Sequence, residues 1–189
     1  MKIYLAGPEV FLPDAMEIGR RKKNICARHG LEGVFPLDTA TDLTLSDASL
    51  RIFRANVALM DAADAIIANL TPFRGVGADA GTVYELGYMA GRGKPCFGYS
   101  NHPASYVERV SGAMAVVAGD DGRLADPHDL TVESFGLADN LMMIHALDLN
   151  GHPLVTPAHA PDDIWRDLAC FELCVRAAGR VERAAQPSE

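Results

Sequence analysis

Residues 64–91, DAIIANL-TPFRGVGA-DAGTVYELGYMAG, decide the fold class. Their first part, Asp64–Leu70, is an apolar run of strand length, which is typical of a parallel strand covered on both faces. Thr71–Ala78 contains one proline and two glycines and is predicted to be a loop. Asp79 is a good N-cap for a helix predicted over Ala80–Gly91. This order of strand, loop and helix indicates one unit of a parallel α/β sheet.

Strands and helices alternate on both sides of this unit. Strand patterns cover Lys2–Ala6, Gly33–Phe35 and Lys94–Ser100, and helical patterns cover Pro13–His29 and Leu50–Ala62. The order favours a parallel sheet with right-handed crossovers. In the helix over Leu50–Ala62, the helical spacing predicts four core side chains, namely Ile52, Phe53, Val57 and Met60.

The pattern weakens after Ser100. Helices are predicted over Asp139–Leu147 and from Asp162 to about Val181, and the second has an amphipathic pattern that suits packing on the sheet or on a subunit. No linker divides the chain, so we expect a single domain over residues 1–189.

The composition argues against two classes of partner. Lys plus Arg total 17 and Asp plus Glu total 25, so the formal net charge is −8. Such a chain lacks the basic footprint of a protein that binds a nucleic acid polymer or an anionic membrane. No apolar run approaches the roughly 20 residues of a membrane span, and turn residues come too early for a secretory signal. We expect no nucleic acid polymer and no membrane as partner.

The cysteines and histidines do not match a zinc pattern. The four cysteines are Cys26, Cys96, Cys170 and Cys174, and the six histidines are scattered. We expect no metal site. The thiols are interpreted as buried small apolar groups, which predicts a reducing, cytoplasmic location.

Ligands of an open parallel sheet bind where strands end, beside the following loops and helix starts. The segment Tyr4–Phe11 spans the end of the first strand and the turn after it, and its Gly7 would let the backbone approach a ligand closely. Residues 71–79 follow the strand over Asp64–Leu70 and lead into the helix that carries Glu85. These segments are the candidate site.

Two carboxylates would flank a pocket at the start of that helix. Asp79 is its predicted cap, and Glu85 lies in its second turn. Gly81 and Gly87 weaken the helix by about 1 kcal/mol each relative to alanine, which suggests close approach of a backbone or ligand. The spacing alone leaves open that Glu85 is a solvated surface glutamate and Asp79 only a cap.

The glycines of this loop do not form a phosphate-binding motif. Gly75-Val-Gly77 matches neither a Walker A loop nor a dinucleotide fingerprint. Asp79 would repel a phosphate at the helix start, which favours a neutral ligand such as a nucleoside. Arg74 would offset this repulsion, so the argument gives a preference only.

Through these segments and several others, the sequence resembles the nucleoside 2-deoxyribosyltransferases. The matching pieces, in the family's order over about residues 1–148, are residues 3–11 (IYLAGPEVF), 61–70 (DAADAIIANL), 71–75 (TPFRG), 79–87 (DAGTVYELG), 132–136 (VESFG) and 139–142 (DNLM). The resemblance implies a flavodoxin-like (Rossmann-like) α/β fold with a parallel sheet of about five strands flanked by helices. It divides the domain into a catalytic core over 1–148 and a C-terminal helical extension over 149–189.

The resemblance also implies an activity, the exchange of nucleobases on 2-deoxyribose without cofactor or metal. The substrates would be 2-deoxyribonucleosides and free nucleobases. Glu85 falls on the family's nucleophile, Tyr4 on a tyrosine near that carboxylate, and Asp79 on an aspartate that helps to protonate the base. Asn140 and Met142 fall on a segment that reaches the sugar from a neighbouring subunit, which implies a homo-oligomer.

Further substrate contacts are expected along the same segments. These residues are Ala6, Gly7, Pro8, Phe11, Asn56, Arg74 and Gly81. Asn56 stands where much of the family has a second base-contacting aspartate. Because an amide cannot act as an acid, base protonation would depend on Asp79 alone.

Two other functions remain open at this point. A deoxynucleoside or 5′-monophosphate N-glycosidase would use the same glutamate chemistry but would need phosphate-binding groups, for which Arg74 is the obvious candidate. A non-catalytic nucleotide-sensing module would bind without turnover.

Overall fold

A computed structural model describes residues 1–39 and 42–185. Its main sheet consists of four parallel strands. The strands are β1 (Lys2–Ala6), β2 (Glu32–Val34), β3 (Ala65–Asn69) and β4 (Cys96–Tyr99), with a separate antiparallel pair of β5 (Val117–Ala118) and β6 (Leu124–Ala125). The helices are α1 (Ala15–Arg28), α2 (Ala48–Ala62), α3 (Ala80–Gly91), α4 (Tyr106–Ala113), α5 (Leu141–Leu149) and α6 (Ala169–Ala185). Short 3-10 turns cover Pro8–Phe11 and Pro36–Asp38.

The strand order is β2-β1-β3-β4, and every pairing is parallel. This confirms the predicted α/β class with a parallel sheet. The sheet has four strands, close to the expected number of about five. A single residue, Val155, occupies the place of a fifth strand. Its N–H donates to the Gly98 carbonyl at 3.0 Å, and its carbonyl accepts from the Ser100 N–H at 2.9 Å.

Helices cover both faces of the sheet. On one face, α1 and α6 pack against Ile3, Leu5 and Ile67. On the other face, α2, α3 and α5 pack against a second cluster that includes Tyr4 and Ile66. The alternation of side chains along β1 therefore points Tyr4 towards α3.

The predicted burial of α2 is wrong for most of its apolar face. Met60 is 1% exposed, but Phe53 is 50% and Ile52 37% exposed, and Val57 is only partly buried. The 15-residue helix is about 22 Å long, whereas a five-residue strand is about 17 Å long. The first turns of α2 therefore project beyond the carboxyl ends of the strands, where no sheet covers them.

Local signals predicted the central unit well. The helix over Ala80–Gly91 has the predicted bounds, and β3 lies inside the predicted run. Asp64 accepts a hydrogen bond from the Lys2 N–H at 2.7 Å and joins the starts of β3 and β1. The last helix begins later than predicted, at Ala169, because residues 162–168 are not helical and include a turn over 164–166.

The C-terminal part of the chain completes one face of the sheet. Phe171 and Val175 of α6 are fully buried against β4 and its neighbours. The division into a core over 1–148 and an extension over 149–189 stays a prediction, and residues 186–189 lie outside the described part of the chain.

The four cysteines are free and buried, as the composition suggested. Within residues 1–39 and 42–185, no group of three or more His, Cys, Asp or Glu side chains is arranged to hold a metal ion. None of the helices in these ranges has the length and apolarity to cross a membrane.

Candidate active site

Glu85 lies in the second turn of α3 and faces the end of β1. The Tyr4 hydroxyl donates a hydrogen bond to Glu85 Oε1 at 2.6 Å. Tyr4 itself is fully buried beneath α3. Two residues that are 81 positions apart in the chain thus meet because β1 and α3 pack on the same face of the sheet.

A cavity of about 270 Å³ opens beside this carboxylate. Its lining consists of Phe53, Asn56, Val57, Met60, Gly81, Tyr84 and Glu85. Three predicted site residues, Glu85, Asn56 and Gly81, therefore share one cavity. The interpretation of Glu85 as a freely solvated surface glutamate does not fit this arrangement.

The surroundings of Glu85 favour its neutral form. Burial raises the pKa of Glu85 to about 7, the Tyr4 hydrogen bond lowers it, and the nearby Asp79 raises it. Burial and the negative charge of Glu85 raise the pKa of Tyr4 well above its usual value, so Tyr4 keeps its proton and remains a donor. Glu85 is thus a carboxyl group close to half-ionised at neutral pH.

Asp79 caps α3, as the sequence predicted. Its Oδ2 accepts from the Thr82 N–H at 2.9 Å and from the Thr82 hydroxyl at 3.0 Å. A side-chain Cβ at Gly81 would lie 3.1 Å from the same oxygen, which explains a glycine in this turn. The cap uses Oδ2, so Oδ1 is the oxygen with which Asp79 would contact a ligand.

Asn56 lies between two cavities. The second one has a volume of about 240 Å³ and is lined by Met16, Pro36, Leu37, Thr39, Leu43, Ile52, Ala55 and Asn56. Asn56 Oδ1 is buried and has no hydrogen-bond partner among the described residues. Because an unpaired buried amide oxygen is costly, its position marks a place where a polar ligand group would be stabilised.

The segment after β1 is more tightly packed than the sequence suggested. Ala6 and Pro8 are buried, so any contact with a ligand would come from their backbone. A Cβ at Gly7 would lie 2.0 Å from Glu9 Oε2 and 2.8 Å from Asn69 Cβ. The glycine therefore makes room for Glu9, and a contact between Gly7 and a ligand stays a prediction.

Glu9 belongs to a buried polar cluster that the sequence analysis missed. Its Oε1 lies 2.5 Å from Lys22 Nζ, and both side chains are at most 1% exposed. The same oxygen accepts from the Asn69 amide at 2.9 Å and from the Tyr99 hydroxyl at 2.8 Å. A signal was present, since Lys22 stands between Ile18 and Ile25 at helical spacing, on the apolar face of α1.

Phe11 and Arg74 do not line the Glu85 cavity but contact each other. The Phe11 ring stacks on Phe73 with centroids 5.2 Å apart. The Arg74 guanidinium lies over both rings, 5.1 Å from Phe11 and 4.6 Å from Phe73. Arg74 also adopts a left-handed backbone with φ of 54°, which is strained for this residue type.

Asn140 and Met142 do not line the Glu85 cavity of their own chain. Asn140 caps α5, where its Oδ1 accepts from the Met142 N–H at 3.0 Å and its amide donates to Glu133 Oε1 at 3.0 Å. The Met142 side chain is 73% exposed. The expected contribution of both residues to a neighbouring subunit's site stays a prediction.

Phe53, which was predicted to lie in the core, and Tyr84, which was not among the predicted site residues, form part of the cavity wall. Their rings lie 6.4 Å apart at the mouth of the cavity, and each is about half exposed. Their positions contained a signal, because Tyr84 directly precedes Glu85 and Phe53 lies one helical turn before Asn56.

The chain is similar in sequence to a known protein family. Residues 3–142 match the family model for nucleoside 2-deoxyribosyltransferase. An uncharacterized protein of Schizosaccharomyces pombe is 34% identical over 164 residues, which cover 79% of this chain and 78% of that protein.

Two solved structures are also similar. A 2-deoxyribosyltransferase from Leishmania mexicana is 30% identical with a TM-score of 0.62, covering 92% of this chain and 96% of that one. A conserved protein from Enterococcus faecalis shares the fold at 17% identity and a TM-score of 0.56, covering 94% and 98%. This chain therefore belongs to the nucleoside 2-deoxyribosyltransferase family.

Proposed function

We propose that this protein exchanges the nucleobase of 2-deoxyribonucleosides through a covalent deoxyribosyl intermediate on Glu85, with retention at C1′. One observation carries the proposal. A carboxyl group with a pKa of about 7 is held by the Tyr4 hydroxyl at the wall of a cavity that is large enough for part of a nucleoside.

In the first step, the ionised Glu85 attacks C1′ of the sugar. The C1′–N bond breaks, its electron pair goes to the base nitrogen, and a proton delivered by Asp79 lets the base leave neutral. The transition state is an oxocarbenium-like cation, which the carboxylate stabilises. The missing 2′-hydroxyl of deoxyribose makes this cation easier to form.

In the second step, a nitrogen of the incoming base attacks C1′. The C1′–O bond to Glu85 breaks, its electron pair returns to the carboxylate, and the incoming base gives up a proton to Asp79. Each step inverts C1′, so a β-nucleoside yields a β-nucleoside.

Tyr4 orients the nucleophile in this mechanism. Its hydroxyl occupies Oε1, which leaves Oε2 to face the sugar. The hydrogen bond lowers the pKa of Glu85 against the effect of burial and so maintains the reactive, ionised form. Asn56 would bind the base through its amide.

We expect the active form to be a homo-oligomer whose sites are completed by a neighbouring subunit. The exposed apolar side chains of Phe53 and Tyr84 at this cavity and of Ile52 at the second cavity support this expectation, because such a patch favours association. Met142 and Asn140 of the neighbour would close the cavity and keep water from the intermediate. A cytoplasmic location stays a prediction.

The test combines an exchange assay with covalent trapping. Incubation with deoxyinosine and adenine should yield deoxyadenosine, and brief incubation with a 2-fluorinated nucleoside should add a sugar to Glu85, detected by mass spectrometry. Release of base without a new nucleoside would reject the transferase in favour of an N-glycosidase. Binding without turnover would instead support the sensing module.

A further inference from the structure

Arg109 forms a buried hub of hydrogen bonds outside the Glu85 cavity. It extends from α4 and is 9% exposed. Its Nε donates to the Val76 carbonyl at 2.8 Å, and its Nη1 donates to the carbonyls of Ala104 at 2.7 Å and Ala138 at 2.6 Å. Its Nη2 donates to Asp139 Oδ2 at 3.0 Å, and Asp139 is only 3% exposed.

Three of the four acceptors of Arg109 belong to two segments that carry candidate site residues, and the fourth, Ala104, lies just before α4. Val76 lies in the loop that ends at Asp79. Ala138 and Asp139 directly precede Asn140. One guanidinium therefore joins the segment that positions the candidate acid to the segment that positions the candidate sugar contact.

Asp139 strengthens the same connection. Its Oδ1 accepts from the Asn140 N–H at 2.8 Å. Burial raises the pKa of Asp139, whereas the backbone of Asn140, the Arg109 guanidinium and the backbone of Ala78 lower it. The Asp139 carboxylate thus touches both segments as well.

A role in stability alone does not account for this arrangement. A buried ion pair contributes little net stability compared with apolar side chains of the same volume, because both charges lose their hydration. A guanidinium offers something that an apolar side chain cannot, namely several donors in a fixed planar fork. Here that fork sets the spacing of Val76, Ala138 and Asp139.

We infer that Arg109 is a positioning residue of the base exchange, which holds the Asp79 loop and the Asn140 segment in register so that water is excluded from the sugar intermediate. The inference rests on the proposed function. The Asp79 loop leads directly into α3, whose Gly81 and Glu85 line the chain's own cavity. The proposed function assigns the Asn140 segment to the cavity of a neighbour. Under the proposed function, Arg109 therefore links elements of two adjacent sites.

The test is the partition of the intermediate in an Arg109→Gln variant. With deoxyinosine and adenine, the ratio of free deoxyribose to deoxyadenosine measures how often water replaces the incoming base. This ratio does not depend on the folded fraction. We expect it to rise about tenfold, because a small misplacement of closing groups has effects of this size or larger. Arg109→Lys, which keeps the charge but loses the fork, should lie in between.

Lys94→Gln is the matched control. Lys94 Nζ also donates to three backbone carbonyls, those of Met60, Asp61 and Ala63. It lies just before β4, at the amino end of that strand, and does not itself line the cavity, although its acceptor Met60 does. We expect Lys94→Gln to lower the melting temperature without changing the partition ratio.

Several outcomes decide the inference. If Arg109→Gln melts earlier but partitions like the wild type, the role is structural and the inference is wrong. If Arg109→Gln does not fold, the same comparison is made with Arg109→Lys and Asp139→Asn. If the wild type shows no base exchange, the proposed function fails first.

Hydrogen–deuterium exchange then tests the positioning by itself. Arg109→Gln should speed amide exchange in both residues 71–79 and residues 133–142, while Lys94→Gln should not. Faster exchange confined to α4 would overturn the inference whatever the activity of the protein is.

Discussion

Glu9 and Glu85 are two carboxyl groups in similar positions with opposite consequences. Both lie near the carboxyl ends of the strands, and each accepts a hydrogen bond from a tyrosine, Glu9 from Tyr99 at 2.8 Å and Glu85 from Tyr4 at 2.6 Å. They belong to opposite faces of the sheet. Glu9 has a cationic partner, Lys22, at 2.5 Å and no access to solvent.

Glu85 has no ion-pair partner among the described residues and borders a cavity. The charge that acts on Glu85 is that of Asp79, which raises the pKa of Glu85 further. The comparison shows that a buried carboxyl group is structural when a cation neutralises it, and becomes a candidate for chemistry when only a neutral donor holds it beside an open space. The three following predictions test this contrast.

The largest expected effect is the loss of base exchange in Glu85→Gln. Glutamine keeps the size of the side chain but cannot form the covalent intermediate, so the rate should fall at least about a thousandfold. The measurement is the initial rate of deoxyadenosine formation from deoxyinosine and adenine.

The thermal stability of this variant provides the control. A carboxyl group whose folded pKa is raised binds more protons in the folded state, so the stability it contributes is present below its unfolded pKa and lost as pH rises through about 7. Glu85→Gln should therefore melt no earlier than the wild type at pH 8. A clear drop in melting temperature there would mean that Glu85 is structural, like Glu9.

The second effect is a loss of stability in Lys22→Met. This substitution leaves Glu9 buried without a cation, which costs about 3–5 kcal/mol of unfolding free energy. Urea denaturation measures the difference. The matched control is Lys23→Met, since Lys23 pairs with Asp38 near the surface and should lose less than about 1 kcal/mol. Equal losses in the two variants would contradict the structural role of the Glu9 pair.

The smallest effect concerns the pH dependence of the chemical step. Because Glu85 must be ionised to attack and has a pKa of about 7, single-turnover rates should fall about tenfold for each pH unit below that value. Tyr4→Phe removes the hydrogen bond that lowers this pKa, so the acidic limb should move to higher pH. Relative to the wild type, the single-turnover rate of Tyr4→Phe should then be about tenfold lower near pH 6 and less strongly reduced near pH 9.

Tyr88→Phe is the control for this change. Tyr88 lies one helical turn after Glu85 but donates to Asp61 at 2.7 Å instead. Its pH profile should match that of the wild type. An unchanged limb in Tyr4→Phe would show that the Tyr4 hydrogen bond does not tune Glu85.

Much of the fold and part of the candidate site could be predicted from local signals. The apolar run before Leu70 and the Asp79 cap predicted β3 and α3, because a covered strand and a capped helix start depend on neighbours in the chain. The resemblance of short segments to the nucleoside 2-deoxyribosyltransferases implied that Tyr4 lies near the Glu85 carboxylate. Their hydrogen bond agrees with that expectation, whereas their roles in catalysis remain proposals.

Other features could not be predicted because they depend on the spatial extent of the sheet. The periodic apolar pattern of α2 suggested burial of Phe53, but periodicity does not tell whether a sheet lies beneath that face. Here the strands end first, so Phe53 lines a cavity and stays half exposed. The Arg109 hub likewise joins Val76 and Asp139, which nothing local in the sequence connects.

The sequence by itself determined the order of strands and helices, the N-cap of α3 and the family to which the chain belongs, since these depend on short segments and their order. The tertiary structure decided which charges are neutralised. It placed Lys22 against Glu9 and gave Glu85 only a tyrosine and a cavity. The physical reason is that the pKa of a carboxyl group depends on burial and on charges within a few ångströms, and the residues that supply them are distant in the chain.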